Sequence, residues 1–259
     1  VVGLDETLEG EEGDTGNASD SGDKQDLLLP ESQRRLMDAV LAVGKPTVIC
    51  LMAGSAIDLE AAGERANALL LAWYPGARGG KAVADILLGR VSPSGKLPIT
   101  FYHNSQLARL PDFEDYSMAS RTYRYLKEAP LYPFGYGLTF GDIRVKEAAV
   151  WPDEKGYLIR AELENRALRD TEDVVQVYCE QKGDPNAPLN PRLCAFKRVD
   201  LKGGETASVT LQVDQQRLVV YDQAGQALMG QKPVFYVGLG QPDQRTWALT
   251  GKKSIRLTV

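Results

Sequence analysis

Three glutamates within four positions, Glu9, Glu11 and Glu12, stand near the start of this 259-residue chain, in the loop Glu9-Gly-Glu-Glu-Gly-Asp14. Carboxylates do general acid or base work when their surroundings move the pKa toward the working pH. Crowding of like charges and burial both raise a carboxyl pKa, so three such groups under a cover would not all stay ionised. Left in water, the same residues are an ordinary solvated charge run. Glycines at 10, 13 and 16 let the loop bend sharply. The short apolar run 1–4 before it reads as a strand, and a strand ending in such a loop presents side chains at the carboxyl edge of a sheet, where α/β folds bind ligands.

The remaining candidates are weaker. Asn17-Ala-Ser-Asp-Ser-Gly-Asp23 spaces several oxygens, but it fails the EF-hand pattern, and no metal is expected. Asn17-Ala-Ser19 is formally a glycosylation acceptor. His103, the one histidine, rules out a multi-histidine metal site within the chain and reads as a loop residue. Cys50, Cys179 and Cys194 match no zinc or disulfide spacing and read as reduced thiols. Trp73 and Tyr74 read as a packed strand end rather than a sugar platform. Arg121 and Arg124 suit either carboxylate orientation or structural pairing. Gly76, Gly79 and Gly80 have no dinucleotide spacing and read as a tight turn into a helix.

Alternating helical and apolar segments must position these groups. Residues 31–43 carry Leu36, Val40 and Val43 at helical spacing, with Gly44 as the stop. Residues 46–51 and 68–73 are buried-looking strands; 59–65 and 79–88 are helical. Apolar strands alternating with helices predict a parallel sheet covered on both faces. Prolines and aromatics dominate 93–140, where 97–100 reads as a strand and the rest as ordered loop. After Gly141 the period becomes two, over 157–163, 174–178, 207–213 and 234–239, with no convincing helix. That predicts a β-sandwich. Two domains follow, 1–141 and 142–259.

Residues 1–141 hold 19 acids and 13 bases, a net of −6, and the remainder 16 and 17, a net of +1. No basic stripe suits a nucleic acid. No apolar run approaches the roughly 20 residues that cross a bilayer. The chain opens inside a strand-like run, like the continuation of something, so the lack of a leader leaves the compartment open, with the cytoplasm favoured.

Read together, Val2-Gly-Leu4 with Glu9-Gly-Glu11, Gly22-Asp-Lys24, Leu29-Pro30, Gly44-Lys-Pro46, Ala72-Trp-Tyr-Pro-Gly76, Pro93-Ser-Gly-Lys-Leu-Pro98, Arg121-Thr-Tyr-Arg-Tyr125 and Leu131-Tyr-Pro-Phe-Gly-Tyr-Gly137 resemble the C-terminal portion of glycoside hydrolase family 3, the β-glucosidases and β-xylosidases. Glu172-Asp-Val-Val-Gln-Val-Tyr178 and 193–201 resemble the fibronectin type III-like domain that follows in many members. The resemblance implies a partial α/β sandwich with a mostly parallel sheet flanked by helices, then an all-β sandwich. It implies a retaining exo-acting β-glycosidase, with β-glucosidase expected ahead of β-xylosidase. Its nucleophile lies on an N-terminal TIM-like barrel and its acid/base glutamate on this portion. An ungapped match places that acid/base on Glu11; a shift of one residue would place it on Glu12. Lys24 stands where members carry arginine, keeping the charge but not the bidentate fork. The barrel and its sugar-gripping groups have no counterpart here, so the chain alone is expected to be inactive. Its implied partners are a β-glycoside and the barrel, with no cofactor and a homo-oligomer left open. The alternative is a non-catalytic carbohydrate-binding or scaffolding module.

Overall fold

The structure, a computed structural model, describes residues 1–9, 24–112 and 114–259. The readings that fall on 10–23, including Glu11, Glu12 and the Asn17 acceptor, lie outside the described residues. The described chain forms two compact units, Val1–Val91 with Phe101–Arg109, and Ser92–Thr100 with Leu110–Val259.

The first unit is α/β. Strand β1 (Val2–Gly3) leads into a one-turn helix α1 (Glu6–Glu9); helix α2 (Glu31–Ala42), strand β2 (Val48–Met52), helix α3 (Glu60–Arg65), strand β3 (Ala68–Leu71) and helix α4 (Gly79–Leu87) follow. The three strands are all parallel, in the order β1-β2-β3. Ile49, Cys50 and Leu51 are buried in succession, as both-faced burial of a central parallel strand requires. Val2, Leu4, Leu29, Met37 and Ile57 complete that core. Helix α2 ends before Gly44, whose φ of 70° suits a glycine stop. Its inward face is not the one the spacing suggested. Met37 is buried and Leu41 packs beside the core, whereas Leu36, Val40 and Val43 are exposed. Met37 and Leu41 form an i, i+4 row of their own, one position on, and that row meets the sheet.

The second unit is built on antiparallel strands. After a short helix α5 (Thr122–Tyr125) come β4 (Ile143–Asp153), β5 (Gly156–Asn165), β6 (Thr171–Glu180), β7 (Arg192–Leu201) and β8 (Thr206–Asp214). The hairpin β9 (Val219–Tyr221) and β10 (Ala227–Met229), strand β11 (Val234–Gly238), helix α6 (Gln244–Thr250) and strand β12 (Ile255–Thr258) complete it. One sheet runs β12-β11-β6-β7 and the other β4-β5-β8. Inward residues of both, among them Ile143, Ile159, Leu163, Val175, Val177, Leu211, Phe235 and Val237, form one core. Helix α6 corrects the helix-free reading: Asp243 caps it by accepting from the Thr246 N–H at 2.6 Å, and Gly251 closes it at φ 64°.

Apart from Phe101–Arg109, the aromatic stretch belongs to this second unit. Residues 97–100 are not a strand, a second correction; Leu97 instead donates to the Tyr136 carbonyl and accepts from the Gly135 N–H, both at 2.8 Å. Tyr123 stacks on Phe134 with ring centres 4.3 Å apart and meets Tyr178 edge-on. Arg121 holds the carbonyls of Pro111 and Asp112, a structural use of that guanidinium. Lys96 pairs with Asp173 at 2.7 Å and donates to the Gly137 carbonyl, with both side chains nearly inaccessible. Removing one member of a buried pair strands the other charge. Lys96→Met should therefore lower the unfolding free energy by about 3–5 kcal/mol in urea titrations, and adding Asp173→Val should restore most of it. An unchanged urea midpoint in the single variant would show that the pair does not hold this stretch in place.

Candidate active site

Parallel strands end on one edge, and that edge gathers the site. Strand β2 runs out into Ala53, Gly54 and Ser55, and β3 into Ala72, Trp73 and Tyr74. The Leu4 and Ala72 N–H groups bond the Met52 and Leu51 carbonyls at 2.9 and 2.8 Å, so all three strand ends stay in register. Trp73 takes φ 52°, an uncommon and strained conformation for a bulky side chain. Its ring packs edge-on against Phe101 at 6.2 Å, confirming it as a packed strand end. The same turn leaves Tyr74 exposed, its hydroxyl aimed at Glu9.

Glu9, the last residue of α1, lies across the end of β2. Its Oε2 accepts the Gly54 N–H at 2.6 Å and the Tyr74 hydroxyl; its Oε1 accepts the Ser55 N–H at 3.0 Å and the Ser55 hydroxyl. A carboxylate offers about four acceptor positions, and here four donors meet it. Lys24 donates to the Ser55 hydroxyl oxygen at 3.0 Å. Burial pushes the Glu9 pKa up, but hydrogen bonds from Ser55, Tyr74 and Gly54, with the charge of Lys24, outweigh it and hold the carboxyl below its ordinary value. Burial in turn lowers the Lys24 pKa, against the opposing pull of Glu9 and Asp26. A Cβ at position 54 would stand 2.6 Å from the Tyr74 ring and 2.7 Å from Glu9 Oε2, so a larger residue there would push both side chains out of the cradle. The arrangement makes a fixed anion at the base of the acidic loop.

The other sequence candidates are structural. His103 sits 3.9 Å from Asp58, a buried carboxylate already engaged by the N–H groups of Glu60 and Asn104 at 2.8 Å each. Gly76, at φ 68°, accepts the Gly79 N–H at 3.0 Å, which makes the tight turn into α4. All three cysteines are buried free thiols; burial raises each pKa, that of Cys179 to about 12. Among the described residues no group of three His, Cys, Asp or Glu side chains is placed to hold a metal, and no helix is long and apolar enough to cross a membrane. Ser55 and the Tyr74 hydroxyl carried no sequence signal, lying 46 and 65 residues from Glu9.

The family model described as the glycosyl hydrolase family 3 C-terminal domain matches residues 1–140. The chain belongs to glycosyl hydrolase family 3. A model of a fibronectin type III-like domain matches residues 173–241, within the β-sandwich. A xylan 1,4-β-xylosidase of Xylanibacter ruminicola is 40% identical over 223 residues, 85% of this family 3 chain and 25% of that protein. A periplasmic β-glucosidase of Salmonella typhimurium is 32% identical over 225 residues, 80% of this chain and 29% of that one. A β-glucosidase of Streptomyces venezuelae, solved in complex with D-glucose, superposes with a TM-score of 0.77 at 28% identity, over 93% of this chain and 33% of that one. A family 3 β-glucosidase of Bifidobacterium adolescentis gives 0.80 at 26% identity, over 93% and 37%. The chain thus spans between 25% and 37% of the length of these four relatives.

A depressed carboxyl pKa has a definite pH signature. Its stabilisation is complete above the unfolded value, near 4.5, and disappears as pH falls through the lower folded value. Glu9→Gln should cost about 1 kcal/mol at pH 7, in the usual range for such hydrogen bonds, and should flatten the stability loss below pH 4.5. Denaturant titrations from pH 7 to 3 that run parallel for the two proteins would exclude the anchor.

Proposed function

We propose that this chain is the C-terminal portion of a retaining β-glycosidase and that it supplies the general acid/base glutamate to a nucleophile carried on a barrel domain. The observation that carries the reading is the family membership, with relatives named β-glucosidases and β-xylosidases, together with Glu9, the first residue of the acidic run, held at the carboxyl edge of a parallel sheet. A terminal β-D-glycoside is the substrate class. Glucosides remain the first choice; terminal β-xylosides are the second, favoured by the 40% identity to a protein named a xylan 1,4-β-xylosidase. Glu11 is the acid/base, with Glu12 the alternative one residue on. Glu9 is the comparison residue, because the donors of Ser55, Tyr74 and Gly54 favour its ionised form.

The isolated 259-residue chain should hydrolyse no aryl β-glycoside above the buffer rate. Within the complete enzyme, each of Glu9, Glu11 and Glu12 is replaced in turn by glutamine. The true acid/base variant loses roughly 10² to 10⁴-fold on alkyl glycosides, whose leaving groups need a proton. On an aryl glycoside with an acidic phenol it still forms the glycosyl-enzyme, shows a burst, and recovers turnover with azide as a β-glycosyl azide. We assign this behaviour to Glu11→Gln. Azide rescue confined to Glu12→Gln or Glu9→Gln moves the role to that residue, and rescue of none of them removes the acid/base assignment from this loop.

The domain boundary is placed at Gly141, with the sandwich after it contributing stability rather than chemistry. Truncation after residue 141 removes Asp173, Gln176 and Tyr178, the partners of Lys96, Gly135 and Tyr123. The truncated enzyme should lose thermal stability or yield. Normal stability with an altered sugar preference would overturn that assignment.

A further inference from the structure

We propose that the β-sandwich unit carries a second binding site, for an oxyanion, in the cleft between β4, the end of β5 and the turn before β12. Arg144, Arg166, Lys252 and Lys253 line an open cleft of about 180 Å³, floored by Val145 and Leu239. Among the described residues two carboxylates pair directly with these cations; a third, Asp173, acts on Lys252 but is itself balanced by Lys96. Asp142 accepts from Arg144 Nε at 2.9 Å and lies 3.4 Å from Lys252 Nζ, while Glu164 accepts from Arg166 Nε at 2.8 Å. Both acids therefore take the Nε side of the guanidinium, and Arg144 Nη1 turns to the Gly251 carbonyl at 3.2 Å. Lys253 lies 4.0 Å over the face of Trp247, which positions the ammonium without neutralising it. Four cations against two carboxylates leave the cleft cationic. The next pair along the same two strands, Lys146 with Glu162 at 2.8 Å, is balanced one to one. The excess charge thus belongs to the cleft and not to the strand surface.

Beside the cleft lies a cavity of about 200 Å³ that shares Arg144, Leu239 and Lys252; Thr246, Thr250 and Ser254 line it, together with the Lys96–Asp173 pair and Asp142. Guanidinium forks match the planar geometry of a carboxylate and bind phosphate equally well. A hydroxyl-lined recess beside them suits the ring of a sugar. The ligand is accordingly a compact oxyanion: the carboxylate of a uronate sugar, or a free or esterified phosphate. Burial holds the pKa of Lys252 below its ordinary value, against the pull of Asp173 and Asp142, and a bound anion would favour its charged form. This site is independent of the glycosidase reading.

The test uses the whole 259-residue chain, with thermal midpoints recorded at fixed ionic strength against glucuronate, inorganic phosphate and neutral glucose. A saturable rise is expected with at least one anion and none with glucose. Tighter binding of glucuronate than of phosphate identifies the sugar acid; the reverse order identifies phosphate. Arg166 and Lys253 are exposed, so Arg166→Gln and Lys253→Gln should fold normally, and each should weaken the anion by about tenfold, the value of one charge-assisted contact. No saturable rise with either anion, or a rise undiminished in the double variant, overturns the proposal.

Discussion

The first strand lies so close to the second that only glycine fits at position 3. A Cβ there would stand 1.8 Å from the Met52 carbonyl oxygen, an overlap with backbone that no side-chain movement relieves. From the opposite side, the Gln33 amide clamps the same peptide, accepting from the Gly3 N–H at 2.8 Å and donating to its carbonyl at 2.7 Å. This fixes the register Val2 to Leu51 and Gly3 to Met52. Register decides everything at the edge, because it determines which residue of α1 falls over the end of β2. With Gly3 opposite Met52, one helical turn carries Glu9 onto the N–H groups of Gly54 and Ser55. A slip of one position would turn Val2 and Leu4 out of the core and move Glu9 off its donors.

The sandwich unit solves its positioning problem with two buried amides, Asn165 and Gln176, that are fully engaged. The Asn165 amide donates to the carbonyls of Arg169, Leu201 and Lys202, while its oxygen accepts from the N–H groups of Asp142 and Ala167. Gln176 donates to the Gly135 carbonyl and accepts from the Tyr178 hydroxyl at 2.7 Å. Such groups gain little net energy, but leaving any of them unpaired is expensive, so they exclude alternative arrangements. Gly135 shows the tightness of the fit: at φ 76° a Cβ would stand 2.3 Å from the Gln176 side-chain oxygen. The aromatic stretch is ordered because it closes these bonds, and composition alone conveys only that it is too aromatic to be a linker.

Sequence carried furthest where apolar residues run together or alternate regularly. Strands β2 and β3 announce themselves as apolar runs, although β3, expected to be buried, is only partly covered, and β5, β6, β8 and β11 as alternating or β-rich segments. Strands β4 and β12 do not: a bulge between Val145 and Glu147 breaks the alternation of β4, and β12 is four residues long. Helix α6 was missed although its signals were present, an aspartate three residues before Thr246 and a glycine at 251, because seven residues are too few to show a period. The apolar row of α2 misled for another reason. Two adjacent rows were available on one helix, and spacing does not say which of them faces the sheet. The candidate site divides in the same way. The acidic loop was legible as local composition, whereas the Glu9 cradle is assembled from residues far apart in the chain, and no local pattern encodes it.

The cradle bears on the loop through covalent reach alone. Cα atoms two residues apart are separated by at most about 7 Å whatever the backbone does, so the backbone of Glu11 stays close to the anchored residue. Four donors keep Glu9 ionised, and a fixed negative charge nearby raises the pKa of a neighbouring carboxyl. A general acid must hold its proton near neutral pH and give it up only to the leaving oxygen, which such a neighbour promotes. Under the proposed assignment of Glu11 as the acid/base, an anion pinned at Glu9 by backbone N–H groups and hydroxyls would favour the protonated form of a carboxyl brought beside it. Were Glu9 itself the acid, its donors would have to be surrendered before it could carry a proton, and the cradle would oppose the chemistry it sits beside.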